Sequence, residues 1–319
     1  MNPLKSLLKP LLPAIALVAC VPGHANDPQA AAAATGNAPV PLLWKVSDAD
    51  NSLYLLGSFH MLKPEDYPLS ADVDAAFEDA ESVLFEIEPS ALNTPETVAK
   101  FQAATGYEDD NTLSRVLPAD TRAKLEKLLT ASGSSLDKVE RSEPWAVSLG
   151  LLLGVSQAMG FRQDQGLDRH FMSRAAEAGK PVAGLEDIDA QLAALDGVPH
   201  AEQVAGLDEF LSDPSKAMAE FRDLHQTWRA GDVATLDSRF RQDMAEESPV
   251  SYRLVNVDRN NAWVPLLEAR LAAPEGDTLA VVGALHLLGD DGVVEKLRAK
   301  GYAVERICSA CVATERAPQ

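Results

Sequence analysis

The sequence predicts an α/β fold: a central sheet formed by N- and C-terminal strand–Gly-x-x-His–helix–strand units, with a large helical cap inserted between them. Three observations carry this expectation. An apolar run ends in Gly-x-x-His in "SLYLLGSFHML", residues 52–62, and again in "TLAVVGALHLL", residues 278–288. Each is followed by a helical stretch and then a second short apolar strand. Between the two units lie about 180 residues dominated by helical periodicity.

Taken in order, residues 1–25 read as an export signal. Lys5 and Lys9 precede the short apolar core "PLLPAIALVA", and no second apolar run follows to stop transfer. Two processing routes are open. "LVAC", residues 17–20, resembles a lipobox that would lipidate Cys20, whereas "GHA", residues 23–25, offers the small residues needed for cleavage after Ala25. Either route places the mature protein outside the cytosol, in the periplasm or cell envelope, the first as a membrane-anchored lipoprotein. Residues 26–40 are rich in Ala, Pro and Asn without an apolar period, which predicts a flexible linker.

The folded domain is expected over 41–319, with the helical insertion at about 90–275. Two apolar runs flank "DADN", a turn sequence, and predict a β-hairpin that ends at His60. "LSADVDAAFEDA" reads as a helix capped by Ser70, and "ESVLFEIEP" as a strand ended by Pro89. Helices follow at "ADTRAKLEKLLTASG", "GLDRHFMSRAAEAG", "DIDAQLAALDG", "SKAMAEFRDLHQTWRAG" and "DRNNAWVPLLEARLAA", interrupted by a short strand in "KPVAGLE". The C-terminal unit reads strand "TLAVV", turn "GALHLLGDDG", helix "VVEKLRAK", strand "GYAVERI".

The 319 residues carry a formal charge of −20 and a pI near 4.6, a field that repels phosphate backbones and anionic membrane surfaces. Nucleic acid is therefore excluded as a partner. "WAVSLGLLLGVSQAMGF", residues 145–161, is too short and too polar at Ser148, Ser156 and Gln157 to span a bilayer, and reads as a buried helix. Cys308 and Cys311, in "CSAC", predict a local structural disulfide in an oxidising compartment.

The chemistry follows from strand ends. Glycine lets the chain turn sharply at the carboxyl edge of a sheet, where ligands bind in α/β folds, and a histidine three residues on lies over that edge. Composition predicts about a third of one chance Gly-x-x-His match, whereas the chain has three. The third, "GVPH" at 197–200, lacks the strand and reads as a loop. A lone histidine at an apolar boundary is usually a packed core residue. The parallel settings of His60 and His286 instead predict convergence into a pair of metal ligands.

Glu86 and Glu88 share one face of "SVLFEIEP", and a carboxylate inside an apolar strand is costly unless paired or metal-bound. Glu86, deeper in the run, is the stronger candidate, and Glu88 the more exposed. Glu305, in the equivalent strand of the second unit, is expected to pair at the surface with Arg306. Arg259 and Asn260 stand at the apparent start of a helix, a setting suited to anions, and Glu186 at another carboxyl edge.

These segments, taken together and in this order, resemble the TraB/GumN family, which includes the Tiki metalloproteases. The resemblance runs from about residue 41 to 307 and rests on "LYLLGSFHML", "ESVLFEIEP", "GLDRHFMSRAAEAGKPVAGLED", "VDRNNAWVPLLEARL" and "LAVVGALHLLGDDGVVEKLRAKGYAVERI". It implies an α/β core with converging Gly-x-x-His motifs. The family's two histidines fall on His60 and His286, its glutamate on Glu86, and its Arg-Asn pair on Arg259 and Asn260. Tiki proteins imply a manganese- or cobalt-dependent peptidase.

The expectation is an exported, peptidase-like metal-dependent hydrolase acting on a peptide or small-molecule substrate. His60, His286 and Glu86 would bind a divalent ion, and Glu86, Arg259 and Asn260 would serve the reaction. Two histidines and a carboxylate suit Mn, Fe, Co or Zn. The alternative is a non-catalytic envelope protein that binds metal or haem, or serves as an accessory.

Overall fold

The computed structural model describes residues 38–273 and 276–311. The expected export signal, Cys20 and nearly all of the expected linker lie outside the described residues. Six strands form one sheet: β1 (Leu43–Ser47), β2 (Ser52–Ser58), β3 (Ser82–Ile87), β4 (Val182–Glu186), β5 (Thr278–Gly283) and β6 (Ala303–Arg306), in the order β4-β3-β5-β2-β1-β6. The fold is thus α/β, with a helical insertion between the strands.

The expected hairpin is present. β1 and β2 pair antiparallel from Leu43 opposite Leu56 to Ser47 opposite Ser52. β2, β5, β3 and β4 are mutually parallel. β6 runs antiparallel to β1 and therefore in the direction of the other four, so β1 alone is reversed. All of β5 is buried, as its unbroken apolar run requires of a strand covered on both faces.

The two strand–Gly-x-x-His–helix–strand units are not equivalent in the sheet. The first carries β2 past β5 to β3, and the second carries β5 past β2 and β1 to β6. The neighbours β2 and β5 therefore send their connections in opposite directions. That is the switch point where an open α/β sheet leaves a crevice at its carboxyl edge. Ser58 pairs with Gly283, so both Gly-x-x-His turns leave the sheet at this one place.

The insertion supplies the cover. Helix Pro144–Ala158 buries Trp145, Val147, Leu149 and Leu152 and packs against helix His200–Ser212. No helix among the described residues is long and apolar enough to cross a membrane. Helix Pro214–Arg229 is pinned to the switch point by Trp228, whose Nε1 donates to the Gly57 carbonyl at 2.9 Å. "GVPH" is a loop as expected over residues 197–199, between helices Ile188–Asp196 and His200–Ser212, and His200 opens the second helix, exposed beside Glu143. Ser70 does precede helix Ala71–Asp79, but its side chain makes no capping bond. Glu305 is exposed on the edge strand, while Arg306 lies over the Trp44 ring 4.7 Å from its centroid rather than serving as a surface partner. Cys308 and Cys311 form the expected disulfide.

Asp66 fastens the segment after His60 to the cap. It is fully buried, accepts from Lys63 N at 2.8 Å, lies 2.9 Å from His225 Nε2, and pairs with Arg229. Burial alone would raise its pKa, but the contacts to His225, Lys63 N–H and Arg229 outweigh that and hold it below the usual carboxylate value. Its stabilisation is therefore complete above the unfolded value of about 4 and drains away as pH falls through the lower folded value. Asp66→Asn is expected to cost about 2–4 kcal/mol at pH 7. Urea midpoints of wild type and variant should then converge below about pH 4. Parallel curves down to pH 3 would contradict this role.

Candidate metal centre

The turns after β2 and β5 bring His60 and His286 together, from opposite ends of the chain. β3 lies beside β5 and adds Glu86, only 3% exposed, so its strand is central rather than a solvated edge. Glu88, past the end of that strand, is exposed. A Cβ built on Gly283 would lie 3.3 Å from Glu86 Oε1, 3.3 Å from His286 Cδ2 and 3.4 Å from His60 Nε2. The three side chains thus surround one point, left open because residue 283 has no side chain.

Both imidazoles are held in one tautomer. His60 Nδ1 lies 2.7 Å from Asp168 Oδ2, a carboxylate that can only accept, so in the neutral ring the proton is on Nδ1 and the lone pair on Nε2. Ser58 Oγ donates to the same oxygen at 2.6 Å. Asn260 Nδ2 donates to Asn256 Oδ1 and to the Asp291 carbonyl, both at 2.8 Å, which leaves its Oδ1 to accept from His286 Nδ1 at 2.7 Å. His286 Nε2 therefore also carries a lone pair. Such outer partners fix ring orientation in histidines that bind metals.

Sequence reasoning missed Asp168. It stands on helix Leu167–Ala178, which begins against His60 because Gly166 has no side chain: a Cβ there would collide with the His60 carbonyl oxygen. Leu167 N donates to the Phe59 carbonyl at 3.1 Å and completes the approach.

Arg259 is the buried cation of the site. Nη2 donates to Glu86 Oε2 and to Glu186 Oε1, both at 2.6 Å, Nε reaches Glu186 Oε1 at 3.0 Å, and Nη1 lies 3.2 Å from His286 Nε2. Trp263 backs it, with the guanidinium 4.7 Å from the ring centroid and the indole Nε1 donating to Glu186 Oε2 at 3.0 Å. Gln191 Nε2 joins Glu86 and Glu186 at 3.2 Å each. Arg259 and Asn260 do not stand at a free helix start. Helical turns run from Pro249 to Leu271 through a π turn at Arg253–Val257, and both side chains point inward and are buried.

Burial would lower the His60 pKa, but the adjacent Asp168 carboxylate and the Glu86 charge raise it above the ordinary histidine value. Burial, Arg259 and His60 push His286 well below it. Asp168, despite its burial, is held low by His60 and Ser58. Burial raises Glu186, against the opposing pull of Arg259.

Among the described residues, no three His, Cys, Asp or Glu side chains are gathered closely enough to hold an ion as they stand. Arg259 holds lone pairs that an ion would need on Glu86 and His286. His60 Nε2 differs: it is buried, 3.9 Å from Glu86 Oε1, and has no hydrogen-bond partner. Glu86, Glu186 and Asp168 against Arg259 leave two negative charges in excess when both imidazoles are neutral. Oriented Nε2 atoms, an orphaned lone pair and this excess suit a divalent cation.

The pattern of the TraB/PrgY/gumN family matches residues 42–306. The chain belongs to this family. Its relatives include the uncharacterized protein YbaP of Escherichia coli K12, 25% identical over 250 residues, covering 77% of this chain and 87% of YbaP. YbaP of Shigella flexneri matches equally, and an uncharacterized protein of Treponema pallidum is 20% identical over 269 residues, covering 81% of this chain and 80% of its own. No solved structure matches this TraB/PrgY/gumN chain.

Proposed function

We propose that this TraB/PrgY/gumN protein is a metal-dependent, peptidase-like hydrolase of the cell envelope. His60, His286 and Glu86 would hold one divalent ion, Mn, Fe, Co or Zn. The reading is carried by one observation: imidazoles from opposite ends of the chain present Nε2 lone pairs beside a buried carboxylate, and one of those lone pairs is unused. When bound, the ion polarises the carbonyl under attack and acidifies water.

The chain's own residues prepare for this. Asp168 and Asn260 keep both Nδ1 atoms protonated, and Gly283 N–H, donating to Glu86 Oε1 at 2.8 Å, fixes the carboxylate. Arg259 positions Glu86 through Nη2, while its Nη1 donates to the Val255 carbonyl at 3.1 Å and lies 3.2 Å from His286 Nε2. The envelope location and a lipid anchor at Cys20 rest on the sequence of residues 1–25.

The mature protein is expected to bind close to one equivalent of metal, lost in both His60→Ala and His286→Ala, as measured by elemental analysis after dialysis. Digestion of a peptide library should be abolished by chelator and by either substitution. Metal content unchanged in both variants would sink the centre. Metal bound without hydrolysis of any amide or ester would mark the alternative, a binding or accessory protein. The cavity beside the histidines, about 40 Å³, favours an ion over haem in that role.

A further inference from the structure

The residues between glycine and histidine in the two Gly-x-x-His turns do not point at the candidate metal point. Phe59 from the first, with Ala284 and Leu285 from the second, wall a cavity that His60, Gly283 and His286 also line. Helix Pro214–Arg229 closes it with Leu224 and Trp228, and the following turn with Leu236. The cavity measures about 40 Å³. One water needs roughly 10–15 Å³ on that measure.

The cavity offers almost nothing to a polar guest. Trp228 has a single donor, and Gly57 O takes it. The Ser58 hydroxyl is spent on Asp168. Away from His60 and His286 the remaining walls are aliphatic or aromatic, so a polar group placed against them would forfeit its hydrogen bonds to water without replacement. A short branched aliphatic group suits both the volume and the chemistry, and the histidines at one side put it next to the reacting bond.

We infer that this cavity is the specificity subsite of the proposed hydrolase, taking a leucine- or valine-sized side chain beside the bond to be cleaved. The substrate class is then peptides or amides with an aliphatic residue at that position. The inference rests on the hydrolase reading, but its test does not require metal.

The probes are 3-methylbutanamide and acetamide, titrated into the chelator-treated protein while the Trp228 indole N–H resonance is followed, with Trp228→Phe assigning the signal. 3-Methylbutanamide is expected to saturate the shift at least about tenfold below the concentration acetamide needs, because it buries three more carbons. Leu236→Phe, which fills the cavity, should bring the two probes together. Leu236→Ala, which enlarges it without crowding the core, should favour 4-methylpentanamide over 3-methylbutanamide. Equal response to both probes in the wild type, or a preference untouched by both Leu236 variants, overturns the subsite. Metal uptake measured on the same preparations separates the two ideas. Uptake without apolar preference sinks the subsite alone, and preference without uptake sinks the metal-dependent reading while leaving an apolar ligand site.

Discussion

Arg259→Met is expected to lower the stability of the metal-free protein by about 3–5 kcal/mol, the usual cost of removing one partner from a buried ion pair. The guanidinium is 5% exposed and neutralises two carboxylates that are equally enclosed, with side-chain exposures of 4% for Glu86 and 6% for Glu186. A methionine fills much of the volume, so the loss is electrostatic more than steric. Urea unfolding at pH 7 measures it, and a change under about 1 kcal/mol would show that the cluster tolerates the bare charges. Adding Glu186→Gln to the same chain should recover a large part of the loss, because one of the two orphaned charges is gone. Arg259→Lys should not, since an ammonium cannot reach two carboxylates and His286 Nε2 from one planar fork. The metal reading adds a second outcome. Without the guanidinium, lone pairs on Glu86 and His286 are free, so a divalent ion should raise the melting temperature of Arg259→Met more than that of wild type. An equal rise in both would separate Arg259 from the metal centre.

Much of this site was legible because local sequence carried its own physical tension. Glu86 interrupts "SVLFEI", and a carboxylate has no cheap place in a strand that turns out to lie between two others. His60 and His286 stood out because two unrelated stretches end alike. The hairpin was readable from "DADN", and the helices of the insertion from their periodicity. Strand order was not readable, since β2 beside β5 joins residues more than two hundred apart and no local preference encodes that pairing.

Other misreadings have equally local causes. An aspartate near the start of a helix reads as a partner for the helix dipole, so Asp168 carried no signal of its own. The available clue was the glycine before it, which tolerates the approach of the His60 carbonyl. Arg259 and Asn260 were singled out in the right pair but given the wrong surroundings. "DRNNAW" resembles a helix start, whereas a π turn at Arg253–Val257 carries the helical path straight through. Such turns gather at functional sites, and this one lies directly before the pair that holds Glu86 and His286. Glu186 was visible only as a strand-end carboxylate, and its tie to Arg259 and Trp263 depends on tertiary packing.

Asp168→Asn is expected to weaken the proposed metal binding about 10–100-fold while leaving the fold intact, the range seen when the outer partner of a metal-bound histidine is changed. The substitution is nearly isosteric. An asparagine Oδ1 still accepts from His60 Nδ1 and from Ser58 Oγ, so the ring keeps its tautomer and direction. What disappears is the negative charge behind the imidazole, which makes Nε2 a stronger donor to a cation. It also halves the excess of two negative charges that would balance a divalent ion. Competition against a coloured chelator gives the affinity, and thermal unfolding of the metal-free chain gives the control. Asp168→Ala removes the hydrogen bond as well and is expected to fall further, towards the level of His60→Ala. Asparagine and wild type binding metal equally would reduce Asp168 to a structural partner of His60. Asparagine and alanine losing equally would assign the whole effect to charge rather than to ring orientation.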